Sequence, residues 1–275
     1  MKRLLMVTLA FCLLCTGALA DTAYSVLPAK IDENALLQLA FGARASQAAR
    51  EMRDDGEAFF TLDTSGPSFC GYTVGAIQTA FSLCGSAMES GPSEYIGSEN
   101  VWPTGIAECA LTREAAQTQA AAMLETLDLG EYVLQAVTAY GRVPGYRDEY
   151  QLAFLQRLNG RAAYWSCSIQ PADDNMASVG SPIQRRPQTN RVEVTLDEQG
   201  LLRLNSAWCR YEATGDEITP MEEVQAVAAF AELGITVEKP ERCYYLQYDG
   251  NAAMAIPAWR ALNSFLHAET GKQLQ

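Results

Sequence analysis

The sequence predicts an α+β fold of two units, each a helix followed by antiparallel strands, with the sheet faces covered by the helices. Three observations predict it. Two capped segments of helical period are each closed by a glycine and followed by strand-like sequence. An Asn-Gly pair and an Asp-to-Gly turn separate runs in which apolar and polar residues alternate. Beyond the first twenty residues no apolar run is long enough for a membrane helix. The expected divisions are a leader at 1–20, an N-terminal α+β unit at 21–145 and a C-terminal α+β unit at 146–275.

Lys2 and Arg3, an apolar run from Leu4 to Leu14, and Ala18-Leu19-Ala20 have the layout of a cleavable secretory signal, so the mature chain is expected to begin near Asp21. Cys12 follows Phe11 and Cys15 follows Leu14, which disfavours a lipid-anchoring signal and favours release. Residues 32–52 read as a surface helix broken at Gly42, 57–62 as a strand, and 71–83 as a strand pair. The stretch 85–105, rich in Ser, Gly and Pro, reads as a long loop. Thr112 opens a helix through Ala116, Met123, Leu124 and Leu127 that Gly130 closes, and 132–140 follows as a strand. Residues 150–158 and 161–169 form a hairpin across Asn159-Gly160, the strongest short hairpin signal. After a second loop at 173–190, residues 192–196 turn through Asp197 to Gly200 and return over 201–211. Thr219, Pro220 and Glu222 begin a capped helix over 219–233, with Val224, Val227, Ala228 and Ala231 on one face and Gly234 ending it. Residues 235–237, 243–248 and 254–262 read as strands, with Pro257 marking an edge or a strand start.

The formal charge is −13, and subtracting the positive charges of Lys2 and Arg3 leaves −15 for the mature side chains. Nucleic acid and anionic membrane surfaces are therefore poor partners. A basic protein, a cation or a cell-wall polymer fits better, although acidity also serves solubility alone. Of eight cysteines, Cys12 and Cys15 depart with the leader and take the only Cys-x-x-Cys with them. Cys70, Cys84, Cys109, Cys167, Cys209 and Cys243 remain. An even number in an exported chain suggests disulfides, buried thiols being the alternative, and the wide spacing matches no zinc signature.

Catalytic signatures are sparse. One histidine, His267, excludes any two-histidine metal helix, and Phe265 and Leu266 beside it suggest packing rather than a triad base. Neither Gly66-Pro67-Ser68 nor Gly91-Pro92-Ser93 continues as a nucleophile elbow, and Asp173-Asp174-Asn175 lacks the spacing of a calcium loop. No glycine-rich phosphate loop follows a strand, so no cofactor is expected. Trp165, Trp208 and Trp259 fall in strands as core residues, while Tyr244, Tyr245 and Tyr248 are candidates for a binding face.

Leu158-Asn159-Gly160-Arg161, residues 192–200, the capped helix at Thr219 and the Pro257-Ala258-Trp259 strand resemble the exported, uncharacterised domains related to YycI and PepSY modules. The resemblance spans residues 150–262 and implies a small α+β fold working outside the membrane as a regulatory or protein-binding module, with no catalytic residues to carry over. With a cleaved leader the chain is expected to lack the retained membrane anchor of YycI-type regulators. The functional expectation is an extracytoplasmic, non-catalytic interaction or regulatory module whose partner is a protein or a cell-envelope component. An extracellular carbohydrate-binding protein or carboxylate-based hydrolase is the alternative, since carboxylate pairing is set by the fold.

Overall fold

A computed structural model of the chain describes residues 20–54, 56–62, 69–84, 111–140, 149–165, 189–198, 200–248 and 252–274. Residues 1–19 of the expected leader, most of both expected loops, Cys109, Cys167, and the segments around Ser68, Ser93 and Asp173 lie outside the described residues.

Fourteen strands and three α-helices are present among the described residues, and the strands join into one mixed sheet. Eight of them form a fully antiparallel region. In spatial order these are β6 (Tyr132–Tyr140), β7 (Glu149–Leu158), β9 (Arg191–Asp197), β10 (Gly200–Ile218), β5 (Thr79–Cys84), β4 (Phe69–Val74), β3 (Ala58–Thr61) and β2 (Ala49–Met52). Alternation decides which face is buried: Leu152 and Phe154 of β7, Val192, Val194 and Leu196 of β9, and Leu204 of β10 all enter one core. Helices α1 (Glu33–Phe41) and α2 (Arg113–Thr126) cover that face through Leu36, Ala40, Ala116, Ala120 and Leu124.

The second region runs β8 (Arg161–Trp165), β11 (Glu241–Tyr248), β12 (Ala253–Ala261), β1 (Asp21–Pro28) and the later half of β10. The β8–β11 pairing is parallel and the others antiparallel. β13 (Ser264–His267) and β14 (Gln273–Leu274) extend the far half of β12. β10 belongs to both regions, since residues 200–208 pair with β9 and β5 while 209–218 pair with β1. The paired strands thus return on themselves through β1, β10, β9, β7, β8, β11 and β12. Val26, Leu158, Trp165, Tyr244, Leu246 and Ala255 pack within this circuit. Helix α3 (Glu223–Glu232) lies against a separate cluster, with Ala226 and Phe230 on Ile218, Trp259 and Leu266.

The structure corrects the expected architecture. Instead of two helix-plus-sheet units with covered faces, α1 and α2 share one face of a continuous sheet, and strands from both sides of residue 145 interleave in it. The helical period seen over 32–52 is interrupted by backbone conformation: Gly42 has φ +56°, a left-handed value that ends α1, and a 3-10 turn (Gly42–Gln47) and β2 follow. The last helix starts at Glu223, with the Glu222 backbone N–H donating to Gln225 Oε1 at 3.0 Å, and its inner face is Ala226 and Phe230. Val224, expected inside, is 73% exposed, because the largest apolar side chain of the helix, Phe230, sets the buried face. Residues 235–237 are not a strand. Pro257 lies in an interior strand, and its missing N–H falls where β1 has ended, at Ala255, and β13 has not begun, at Ala258.

Other expectations hold. Thr112 Oγ1 accepts from the Ala115 N–H at 3.2 Å and caps α2. Asn159 and Gly160 have φ +50° and +72°, as a type I′ hairpin turn requires. Trp165, Trp208 and Trp259 are all buried.

Candidate functional site

β9 begins at Arg191, and before it the end of β7 and the middle of β10 are bridged by side chains. Gln156 Nε2 donates to the Cys209 carbonyl at 2.6 Å, and Asn190 Nδ2 donates to Gln156 Oε1 at 2.7 Å. Asn190 Oδ1 accepts from Trp165 Nε1 at 2.8 Å and from Gln78 Nε2 at 2.5 Å. Gln156 and Asn190 are each 3% exposed. Such a network is stable only when its members satisfy one another, because an unmet buried amide costs more than a hydrogen bond returns.

Above this seam lies a cleft of about 960 Å³. Residues 29–33, which lead into α1, form one wall, and residues 126–131, at the end of α2, form another. Residues 156–159 of β7 and its turn, with 208–211 of β10, form the floor. Asp32 caps α1, accepting from the Asn34 and Ala35 N–H groups at 2.9 and 3.1 Å. Glu131 Oε2 accepts from the Gly160 N–H at 2.9 Å, so it braces the hairpin turn. Glu33 accepts from the Tyr72 hydroxyl and from Arg50 Nη2, which ties α1 to β4 and β2. The Tyr72 hydrogen bond, and then Arg50, hold the Glu33 carboxyl below its usual range.

The cations of the cleft are less committed. Arg157 has no side-chain ion pair or hydrogen bond among the described residues, and its Nε is buried. Arg210 holds Glu212 through Nη1 at 2.6 Å, yet its Nε is buried without an acceptor. The Tyr211 hydroxyl is buried outside hydrogen-bonding geometry, although the Cys209 thiol and Asn190 lie near enough to bear on its titration; burial drives that hydroxyl well above its ordinary range. Three of the six buried polar side-chain atoms left without a partner among the described residues sit on residues that line this cleft, each atom itself shielded from the open volume. A shallower depression of about 380 Å³ on the opposite face of β4, β5 and β10 is floored by small residues such as Gly71 and Ala80.

No family model, no curated protein and no solved structure matches the chain. The resemblance of residues 150–262 to YycI and PepSY modules therefore rests on its motifs alone.

The residues singled out from sequence do not assemble into a site. Tyr244 and Tyr245 are 0% and 2% exposed. They point to opposite sides of β11: Tyr244 packs in the circuit and its hydroxyl accepts from Asn159 Nδ2 at 3.2 Å, whereas Tyr245 packs on Phe265 at 4.9 Å between ring centres. Tyr248, 37% exposed, is the one of the three at the surface. Cys70, Cys209 and Cys243 are buried free thiols and Cys84 is buried. Burial pushes Cys70 and Cys209 up to about 12 and raises Cys243 further still, so none is a thiolate nucleophile near neutrality. His267 Nδ1 accepts from the Glu269 and Thr270 N–H groups at 3.3 and 3.4 Å, which orders the final turn. No cluster of three metal-ligating side chains occurs among the described residues.

Gln156, Asn190, Arg157, Arg210 and Tyr211 carried no motif. One signal does mark the seam. Tyr150, Leu152, Phe154 and Leu158 alternate inward, and Gln156 sits in the same phase; Asn190 stands likewise two residues before Val192. A polar amide on the apolar phase of a strand is a request for a buried partner.

Proposed function

We propose that the protein is an exported, non-catalytic binding module that acts outside the cytoplasmic membrane and holds its partner in the seam cleft. The observation that carries this reading is an open volume of about 960 Å³, of ligand size, lined by charged and polar residues that include Lys30, Asp32, Arg157 and Arg210. Support for export comes from the layout of residues 1–20, and no helix among the described residues is long and apolar enough to cross a membrane. A carboxylate hydrolase needs a carboxyl raised into the role of general acid, and Glu33 at the cleft wall is displaced the opposite way.

The test is affinity capture from a cell-envelope extract by the mature protein and by its Thr126→Trp variant, with mass spectrometry of what is retained. Thr126 is exposed on the cleft wall, so an indole there fills the cleft with little cost to the core. A component retained by the wild type and lost by the variant is the expected result. Equal retention by both overturns the cleft as the binding site, and cleavage of a retained polysaccharide overturns the non-catalytic reading.

A further inference from the structure

Helix α3 is apolar on two sides. Ala226 and Phe230 enter the cluster beneath it, yet Val224, Val227, Ala228 and Ala231, which recur at helical spacing in the sequence, lie on the outer side. Val224, Ala228 and Ala231 are exposed, Val224 to 73%, and Val227 is half-buried. A helix at a surface normally turns polar residues to water, and one that is apolar on both sides belongs between two partners. None of the four residues lines the cleft, so the helix presents a surface of its own. The residues of the stripe and its borders say what covers it. Ala228 and Ala231 let another axis come close, which suits a helix packed across this one. At 3.6 residues per turn, Glu223 stands on one border of the stripe and Gln225 and Glu232 on the other. Both carboxylates are exposed, and neither has an ion pair among the described residues. Between Arg210 and Lys239 the sequence holds no basic residue. A second copy of α3, laid in either direction, would therefore set carboxylate against carboxylate. Its ten residues also span only about 15 Å, short of the roughly 800 Å² per partner of a stable homodimer.

We propose that α3 docks a basic amphipathic helix of a partner protein. The apolar face of that helix lies on Val224, Val227, Ala228 and Ala231, and its Lys or Arg side chains reach Glu223 and Glu232. The inference goes beyond the cleft reading and does not depend on it. A chain of formal charge −13 draws a basic segment toward it, and the carboxylates at the borders set its position on the stripe. A short contact with charges at its rim is reversible and weakens with salt.

The test titrates the 15N-labelled mature protein with a synthetic amphipathic helix of about eighteen residues, long enough to fold by itself, whose Leu and Ala stripe is bordered by Lys. A twin bordered by Glu and a scrambled peptide of the same positive charge are the controls. The expected result is a saturable shift of the α3 amide signals with the Lys-bordered helix alone. Val224→Glu, at an exposed position that leaves the core untouched, weakens it about tenfold or more, and Val224→Leu preserves it. Thr126→Trp, in the cleft, leaves it unchanged. No saturable shift, an equal response to the scrambled peptide, or full binding by the Val224→Glu protein overturns the proposal. A wild-type dimer in analytical ultracentrifugation that Val224→Glu converts to monomer overturns it too, by assigning the stripe to a second copy. Loss of envelope capture in Thr126→Trp is a separate result, so the cleft reading and this one stand or fall independently.

Discussion

Gln156 shows how one residue placed against the pattern of its strand organises what surrounds it. Its amide joins β7 to β10 and orients Asn190, which in turn holds Trp165 and Gln78. Gln156→Leu would fit the apolar phase yet remove the side-chain donor to the Cys209 carbonyl and the Gln156 acceptor of Asn190 Nδ2, which keeps only the Cys209 thiol at 2.9 Å, so a loss of about 1–3 kcal/mol is expected by urea denaturation. Glu33 makes the stability depend on acid. Its folded pKa lies below the ordinary value of 4.5, so its contribution is complete above that value and is lost as the pH falls through the folded one. Glu33→Gln should therefore flatten the decline in stability below about pH 4.5, seen in thermal melts across that range. The thiols of Cys70 and Cys209, pushed up to about 12, should resist alkylation at pH 8 in the native protein and react promptly in urea. Rapid labelling of the folded chain would contradict their burial.

At the scale of elements, local chemistry was legible wherever a turn or cap needs a particular residue. Asn159-Gly160 specifies its hairpin because both positions have positive φ, and Gly160→Ala should cost about 1–2 kcal/mol in the same denaturation assay. The strain arises from the backbone alone, since the nearest atom to an added Cβ, Glu131 Oε1, is 3.9 Å away. Helix boundaries were less legible. The residues at 32–52 favour helix, and only the left-handed Gly42 divides them into a helix, a 3-10 turn and an edge strand. Thr219 and Pro220 satisfy the rules for a helix start, but the first turn forms at Glu222, after Met221 N–H has bonded to the Ala268 carbonyl. A tertiary hydrogen bond outweighed a local signal worth about 1 kcal/mol.

Over the whole molecule, β10 makes the two regions mechanically one, since its nineteen residues pair with β9 and β5 at one end and β1 at the other. One cooperative transition is expected, with tryptophan fluorescence and far-UV circular dichroism melting together. Two separated transitions would restore the picture of independent units. The sequence by itself determined the positions of most strands, the hairpin at Asn159-Gly160, the cap at Thr112 and the buried tryptophans. Each of these follows from alternation or from the backbone demands of a few neighbouring residues. Tertiary structure alone decided that strands from both halves share one sheet, that Tyr244 and Tyr245 are core residues, and that the ends of α2 and β7, the lead-in to α1 and the middle of β10 line one cleft. Those facts depend on pairings between residues far apart in the chain, such as Cys209 with Pro28 and Tyr24 with Ala255, and periodicity within a segment carries no information about its partner.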